Sequence, residues 1–217
     1  MWNPLIKKNT AKNELLNFDA RVHVEHPSAE TIFGSNLGLF LVQLYNTASP
    51  LIILCIGTDR STGDSLGPLV GSKLQDLNIP GAAVYGTLDE PVHAVNLQEI
   101  LDEINIKYED NQPFIIAIDA CLGRSESVGF IRIKEGPLQP GTGVNKDLPN
   151  VGNIQIVGIV NVGGFMEYMV LQNTRLSLVM KMANIISQGL KKEIEKIKLP
   201  LPSNAVYSPV HEPISPL

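Results

Sequence analysis

With 217 residues, 44% of them hydrophobic and 18% charged, the chain is long enough for one domain with a sizeable core and lies outside the disordered class. Its 17 basic and 22 acidic side chains leave a net charge of −5, and its one Trp, five Tyr and six Phe are scattered, so neither a field for phosphate backbones nor a stacking platform is present and nucleic acid is not an expected partner. No apolar run reaches the roughly 18 residues of a membrane span, the start lacks the order of a signal peptide, and two cysteines make no disulfide framework. The chain is therefore expected off the membrane, in the cytoplasm, with reduced thiols.

In chain order, residues 1–27 show no period and are expected to form an arm, while residues 28–197 form a single α/β domain. Ser28 stands where it can cap a helix whose apolar stripe is Ile32, Phe33, Leu37, Phe40, Leu41 and Leu44. A strand is expected at 51–57, a polar loop at 58–64, and a helix from Ser65 to Leu77 with Pro68 tolerated in its first turn. Ala82 to Tyr85 is the next strand, Val92 to Ile106 a helix, and Phe114 to Ile118 a third strand ended by Asp119. Val128–Ile133 and Ile154–Val160 are two more strands, joined by a Gly/Pro-rich loop at 135–152. The last helical region starts near Gly164, is interrupted around Asn173-Thr174 and runs to about Ile197. Residues 198–217 carry five prolines and form an extended tail. The arm and the tail leave room for assembly into a homo-oligomer.

Alternating strands and helices imply a three-layer α/β/α sandwich around a mainly parallel sheet, whose ligands bind beyond the carboxyl ends of the strands. The loops at that edge are 58–64, 86–91, 119–127 and 161–164. The first, Gly57-Thr58-Asp59-Arg60-Ser61-Thr62-Gly63-Asp64, is not a phosphate loop: its glycines are one position too far apart and Asp64 stands where a Lys is needed. Gly63-Asp64-Ser65-Leu66-Gly67 also matches a nucleophile elbow, which makes a serine hydrolase acting through Ser65 one alternative.

Two acids, Asp64 and Asp119, fall on the same sheet edge. Carboxylates converging in a partly buried cleft resist joint ionisation, so one can activate water while the other protonates a carbonyl, or the two can hold a divalent metal ion. The competing structural roles are a helix cap for Asp64 and a fastening of strand-end amides for Asp119. Cys55 is read as a core residue, and Cys121 as either structural or a reactive thiol. Asp89, Glu90 and His93 can line a substrate cleft, bind metal or cap the following helix. Asp59 and Arg60 can pair with each other or contact substrate.

The segments from Gly57 to Pro68, Ile118-Asp119-Ala120-Cys121-Leu122-Gly123, and Gly158 to Tyr168 closely resemble the YyaC-type spore proteases of endospore-forming Firmicutes, over about residues 30–197. That family is similar to germination protease and to the hydrogenase maturation proteases, which implies a HybD-like phosphorylase/hydrolase-type fold. The resemblance implies that Asp64 and Asp119 are a catalytic pair. In the maturation proteases the corresponding acids and a later His bind substrate nickel; that His falls at Asn161 here, a poorer ligand for a late transition metal.

The resulting expectation is a sporulation-associated cytoplasmic endopeptidase of the mother cell, forespore or spore core, acting on spore proteins or other polypeptides. Asp59, Arg60, Asp89, Glu90, His93, Asn161 and Gly163 are its candidate substrate contacts, with Asn161 a donor to the oxyanion. A non-catalytic binding or regulatory spore protein is the other alternative.

Overall fold

The computed structural model describes residues 19–140 and 148–198. Its elements are β1 (Asp19–His23), α1 (Ala29–Leu44), β2 (Leu51–Cys55), a 3-10 turn (Gly63–Ser65), α2 (Leu66–Asp76), β3 (Ala82–Tyr85), α3 (Leu97–Lys107), β4 (Phe114–Gly123), a second 3-10 turn (Ser125–Ser127), β5 (Phe130–Glu135), β6 (Ile154–Val162), α4 (Glu167–Gln172) and α5 (Leu176–Lys198). The tail at 199–217, residues 1–18 of the arm and residues 141–147 of the Gly/Pro-rich loop lie outside the described residues.

The apolar run of β2 is buried at every position because both faces of its sheet are covered. The strands lie in the order β1-β5-β6-β4-β2-β3. β3, β2, β4 and β6 run parallel, and β5 and β1 complete the sheet antiparallel. Leu51, Ile53 and Cys55 face a core shared with Phe33 and Leu37 of α1, Leu66 and Val70 of α2, and Met182 and Ile186 of α5. Leu54 and Ala117 face the opposite way, toward Val92 and Leu97. The fold is α/β with uneven layers: three helices cover one face and α3 part of the other.

Two glycines let α2 lie backbone-to-backbone on the sheet. A Cβ on Gly67 would collide with the Ile56 carbonyl, and one on Gly71 with the Gly86 carbonyl. The start of α2 is thereby pressed against the end of β2, which fixes the Gly63–Ser65 turn above the sheet edge.

Several boundaries differ from those expected. β4 does not end at Asp119: it outlasts β2 and continues to Gly123 because β6 still pairs with it, Asp119 opposite Val157 and Gly123 opposite Val162. The helix expected from Val92 begins only at Leu97. Val92 bridges Ile56 in parallel register and its carbonyl accepts the Gly57 N–H at 2.8 Å, so it belongs to the sheet edge. Asn96 closes the intervening turn, accepting the His93 N–H at 2.8 Å and donating to the Pro91 carbonyl at 3.0 Å. β5 starts at Phe130 rather than Val128, past Gly129 at φ +95°. Residues 19–23, read as arm, form β1 and pair with β5 from Asp19 opposite Lys134 to His23 opposite Phe130.

Candidate active site

From β2 the chain crosses through α2 to β3 on one side, then returns through α3 over the other face to β4, on the far side of β2. The connections after β2 and β4 therefore diverge, opening a crevice beyond the carboxyl ends of those strands. Asp119 stands at its floor. Ile118 is the last residue of β4 paired with β2, opposite Cys55, and the Ile56 N–H still reaches the Ile118 carbonyl at 2.7 Å. One position later β2 has peeled away to meet Val92, and Asp119 remains, 9% exposed.

Asp64 reaches the crevice from above. Its N–H donates to the Ser61 carbonyl at 3.0 Å and its own carbonyl accepts the Thr58 N–H at 3.1 Å, which folds the loop back on itself. Gly57 permits this with φ +142°, since a Cβ there would strike the Asp64 carbonyl. Burial raises the Asp64 pKa, partly offset by the Thr58 N–H and the His93 imidazole. Asp119 is raised well above the ordinary carboxylate range by burial and then by the charge of Asp64, partly offset by the Ala120 N–H, which donates to Asp119 Oδ1 at 2.7 Å. Asp64 and Asp119 thus feel each other's charge, and Asp64 also feels that of His93.

The competing structural roles apply unequally. Asp64 caps neither the 3-10 turn, whose N-cap residue is Thr62, nor α2, whose N-cap residue is Ser65. Asp119 does fasten one amide through Oδ1, while its other oxygen takes no hydrogen bond from the described residues.

Of the other candidates, His93 and Glu90 line a cavity of about 560 Å³ beside β3. Glu90 does not cap α3: its N–H donates to Thr87 Oγ1 at 3.0 Å and its carbonyl accepts the Thr87 N–H, closing a tight turn that leaves Asp89 and Glu90 exposed. Asp59 and Arg60 are exposed on the outer rim with no ion pair between them; Thr58 Oγ1 accepts the Arg60 N–H at 3.3 Å instead. Asn161 is otherwise occupied, because its amide donates to the Val170 carbonyl at 3.3 Å and to Thr174 Oγ1 at 3.2 Å, tying β6 to α4. The expected oxyanion donor is therefore a tether. Gly163 donates its N–H to the Gly123 carbonyl at 2.8 Å, extending the β4–β6 pairing.

Ser65 lies inside the 3-10 turn, 6% exposed, with its hydroxyl donated to the Thr62 carbonyl at 2.7 Å, which is not the geometry of an elbow nucleophile. Cys55 is fully buried, and the Cys121 thiol is pushed up to about 11 by burial and by Asp119, so it stays protonated at neutral pH. Among the described residues no three His, Cys, Asp or Glu side chains group closely enough to hold a metal, so a divalent ion at Asp64 and Asp119 would take only those two carboxylates from the protein and water for the rest.

Three features escaped the sequence reading. Thr174 joins Asn161 to α4; Tyr85 and Lys107 meet across the cavity wall, with Lys107 Nζ donating to Tyr85 Oη at 3.4 Å; and Phe165, Met166, Tyr168 and Met169 are exposed around α4. Phe165 to Tyr168 lie within the segment Gly158 to Tyr168 that carries the family resemblance, and nothing in that segment distinguishes an exposed apolar group from a packed one.

Residues 21–189 match the model of a family described as a protein of unknown function, DUF1256. This chain belongs to the DUF1256 family. It is 60% identical over 141 residues to the protein YyaC of Bacillus subtilis (strain 168), itself described as uncharacterized, covering 65% of this chain and 68% of that one. Among solved structures, a [NiFe] hydrogenase maturation protease HycI from Thermococcus kodakarensis KOD1 overlaps 68% of this DUF1256 chain and 93% of its own, with a TM-score of 0.48 and 14% identity. No helix among the described residues of the DUF1256 protein is long and apolar enough to cross a membrane.

Proposed function

We propose that this DUF1256 protein is a cytoplasmic endopeptidase that hydrolyses peptide bonds with Asp64 and Asp119. The observation that supports it most is the unequal pair: a buried carboxyl, Asp119, whose pKa is pushed up by burial and by the charge of Asp64, beside the less buried Asp64 at the switch point of a parallel sheet. Asp64 as carboxylate takes a proton from water while Asp119 gives its proton to the peptide carbonyl oxygen. Water oxygen bonds to the carbonyl carbon, giving a neutral gem-diol. Asp64 then passes its proton to the amide nitrogen, the C–N bond breaks, and Asp119 recovers a proton from the gem-diol hydroxyl. Both carboxyls return to their starting states without any cofactor. The substrates this reading nominates, from the resemblance to spore proteases, are spore proteins.

The test is to incubate spore extract with the parent protein and with Asp64→Asn or Asp119→Asn, and to map new chain termini by mass spectrometry. New termini with the parent, reduced about 100-fold or more in rate by either substitution, are expected for loss of a general acid or base. No new termini at any pH, or termini that persist at the parent rate in both variants, would refute it.

A binding or regulatory role is the second reading, and one observation favours it: the amide of Asn161, the expected oxyanion donor, is engaged with α4. Stable capture of spore polypeptides without cleavage by the parent protein is its expected signature.

A further inference from the structure

Among the described residues β3 is the last strand on its side of the sheet and pairs with β2 alone, so none of them forms a strand along its outer N–H and C=O groups. It is half-buried rather than covered. Along it runs the 560 Å³ cavity, whose lining includes Val84, Tyr85, Thr87, Glu90, His93 and Lys107. A row of main-chain groups beside a side-chain pocket is what β-strand addition requires: the edge supplies affinity and the pocket selects alternate side chains.

One residue relates the cavity to the acid pair: His93 lines the cavity, and its charge lowers the Asp64 pKa. Its other wall is cationic. Lys107 Nζ donates to Tyr85 Oη and lies 5.8 Å from the centre of the Tyr85 ring and 5.5 Å from that of Tyr108. Accepting that bond leaves the Tyr85 hydroxyl proton free to donate, so ammonium and phenol form a two-donor fork matched to a carboxylate.

We propose that the β3 edge is a polypeptide-binding site: an extended segment adds there as a seventh strand, with a carboxylate held by Lys107 and Tyr85 a few residues from the point where the chain passes His93 toward Asp64 and Asp119. This rests on the endopeptidase reading for its direction, and it names the substrate class as extended, acid-bearing chains. The carboxylate can belong to a side chain or to a chain end.

Five octapeptides of alternating Thr and Val test it on the full-length protein by amide NMR titration. One carries a central Glu and an amidated end; one has Gln in its place; one has Gln and a free terminal carboxylate; and two are the Glu peptide N-methylated at odd or at even positions. The Glu peptide is expected to shift the amides of Ala83, Val84, Tyr85 and Thr87. A carboxylate peptide is expected to bind about five-fold more tightly than the amidated Gln peptide, as for a partly exposed ion pair, with the better of the two showing which source the site takes. Lys107→Gln, on an exposed side chain, should abolish that preference while leaving the amidated Gln peptide unaffected. N-methylation should abolish binding in one of the two alternating patterns.

Shifts centred elsewhere, indifference to both N-methylation patterns, or an acid preference that survives Lys107→Gln would overturn the proposal, as would no binding at all. All arms are repeated on Asp64→Asn. Peptides that bind both proteins while the parent yields no new termini from spore extract would refute the endopeptidase reading alone, and cleavage of the extract without these shifts would refute this one alone.

Discussion

A carboxyl placed where the sheet has lost one strand but kept another gains little solvent, and Asp119 is in that position between β2 and β6. Its raised pKa has a thermodynamic sign. The folded state holds the proton more tightly than the unfolded chain, so stability is fully present below the unfolded pKa and declines as pH rises through the folded one, by at most about 1.4 kcal/mol per pH unit for one group. Asp119→Asn keeps an oxygen for the Ala120 N–H and removes the charge. The variant should melt higher than the parent at neutral pH and converge with it in acid, as measured by calorimetry across pH; a variant less stable at neutral pH would contradict the assigned burial. The same asymmetry sets the rate profile. Hydrolysis should rise as Asp64 ionises and fall as Asp119 loses its proton, with the optimum above the ordinary carboxylate range and both limbs belonging to the coupled pair. That two acids reach one rim was legible from the β-α-β-α-β order. Which of them is buried was not, because that depends on where β2 stops pairing while β4 continues.

Among the elements, α2 shows how tightly the crevice depends on backbone contact. Gly67 and Gly71 sit one turn apart on the face of α2 toward the sheet and leave no room for a Cβ against Ile56 and Gly86. Gly67→Ala and Gly71→Ala should each cost about 1–3 kcal/mol by forcing the helix away, measured by urea unfolding, and Gly67→Ala should also reduce hydrolysis because the Asp64 turn leads directly into α2. α4 depends on a different device. With Asn161 and Thr174 bonded to each other and both bonded to the Val170 carbonyl, Asn161→Ala should speed amide hydrogen exchange in residues 167–172 while leaving β6 protected. The interruption between α4 and α5 was visible at Asn173-Thr174. The function of Thr174 there was not, since its partner lies 13 residues away on a strand. α3 starts later than its sequence suggests for a similar reason: Val92 has helix-compatible neighbours in sequence, and Ile56 across the sheet edge recruits it into extended pairing.

On the scale of the whole molecule, the parallel half of the sheet carries the crevice and the antiparallel half closes the other end of the core. β1 was invisible in sequence because its partner β5 is more than a hundred positions distant and, of its five residues, Val22 alone is buried. Its attachment combines a surface ion pair, Asp19 with Arg132, and the apolar contacts of Val22 and Val24 with the core around α1. The magnitudes separate the two. An exposed pair is worth under about 1 kcal/mol, whereas removing two buried methyl groups costs about 2 kcal/mol per residue. Asp19→Asn should therefore leave the melting temperature nearly unchanged, and Val22→Ala with Val24→Ala should lower it clearly. Deleting residues 1–27 goes further, because it uncovers the β5 edge from Phe130 to Lys134 together with the apolar side chains beneath β1. An unpaired edge beside exposed apolar surface is a template for another chain, so the truncated protein should associate with increasing concentration in light scattering, at concentrations where the double alanine variant shows no such rise. Equal association of the two proteins would mean that the β5 edge is not what β1 protects.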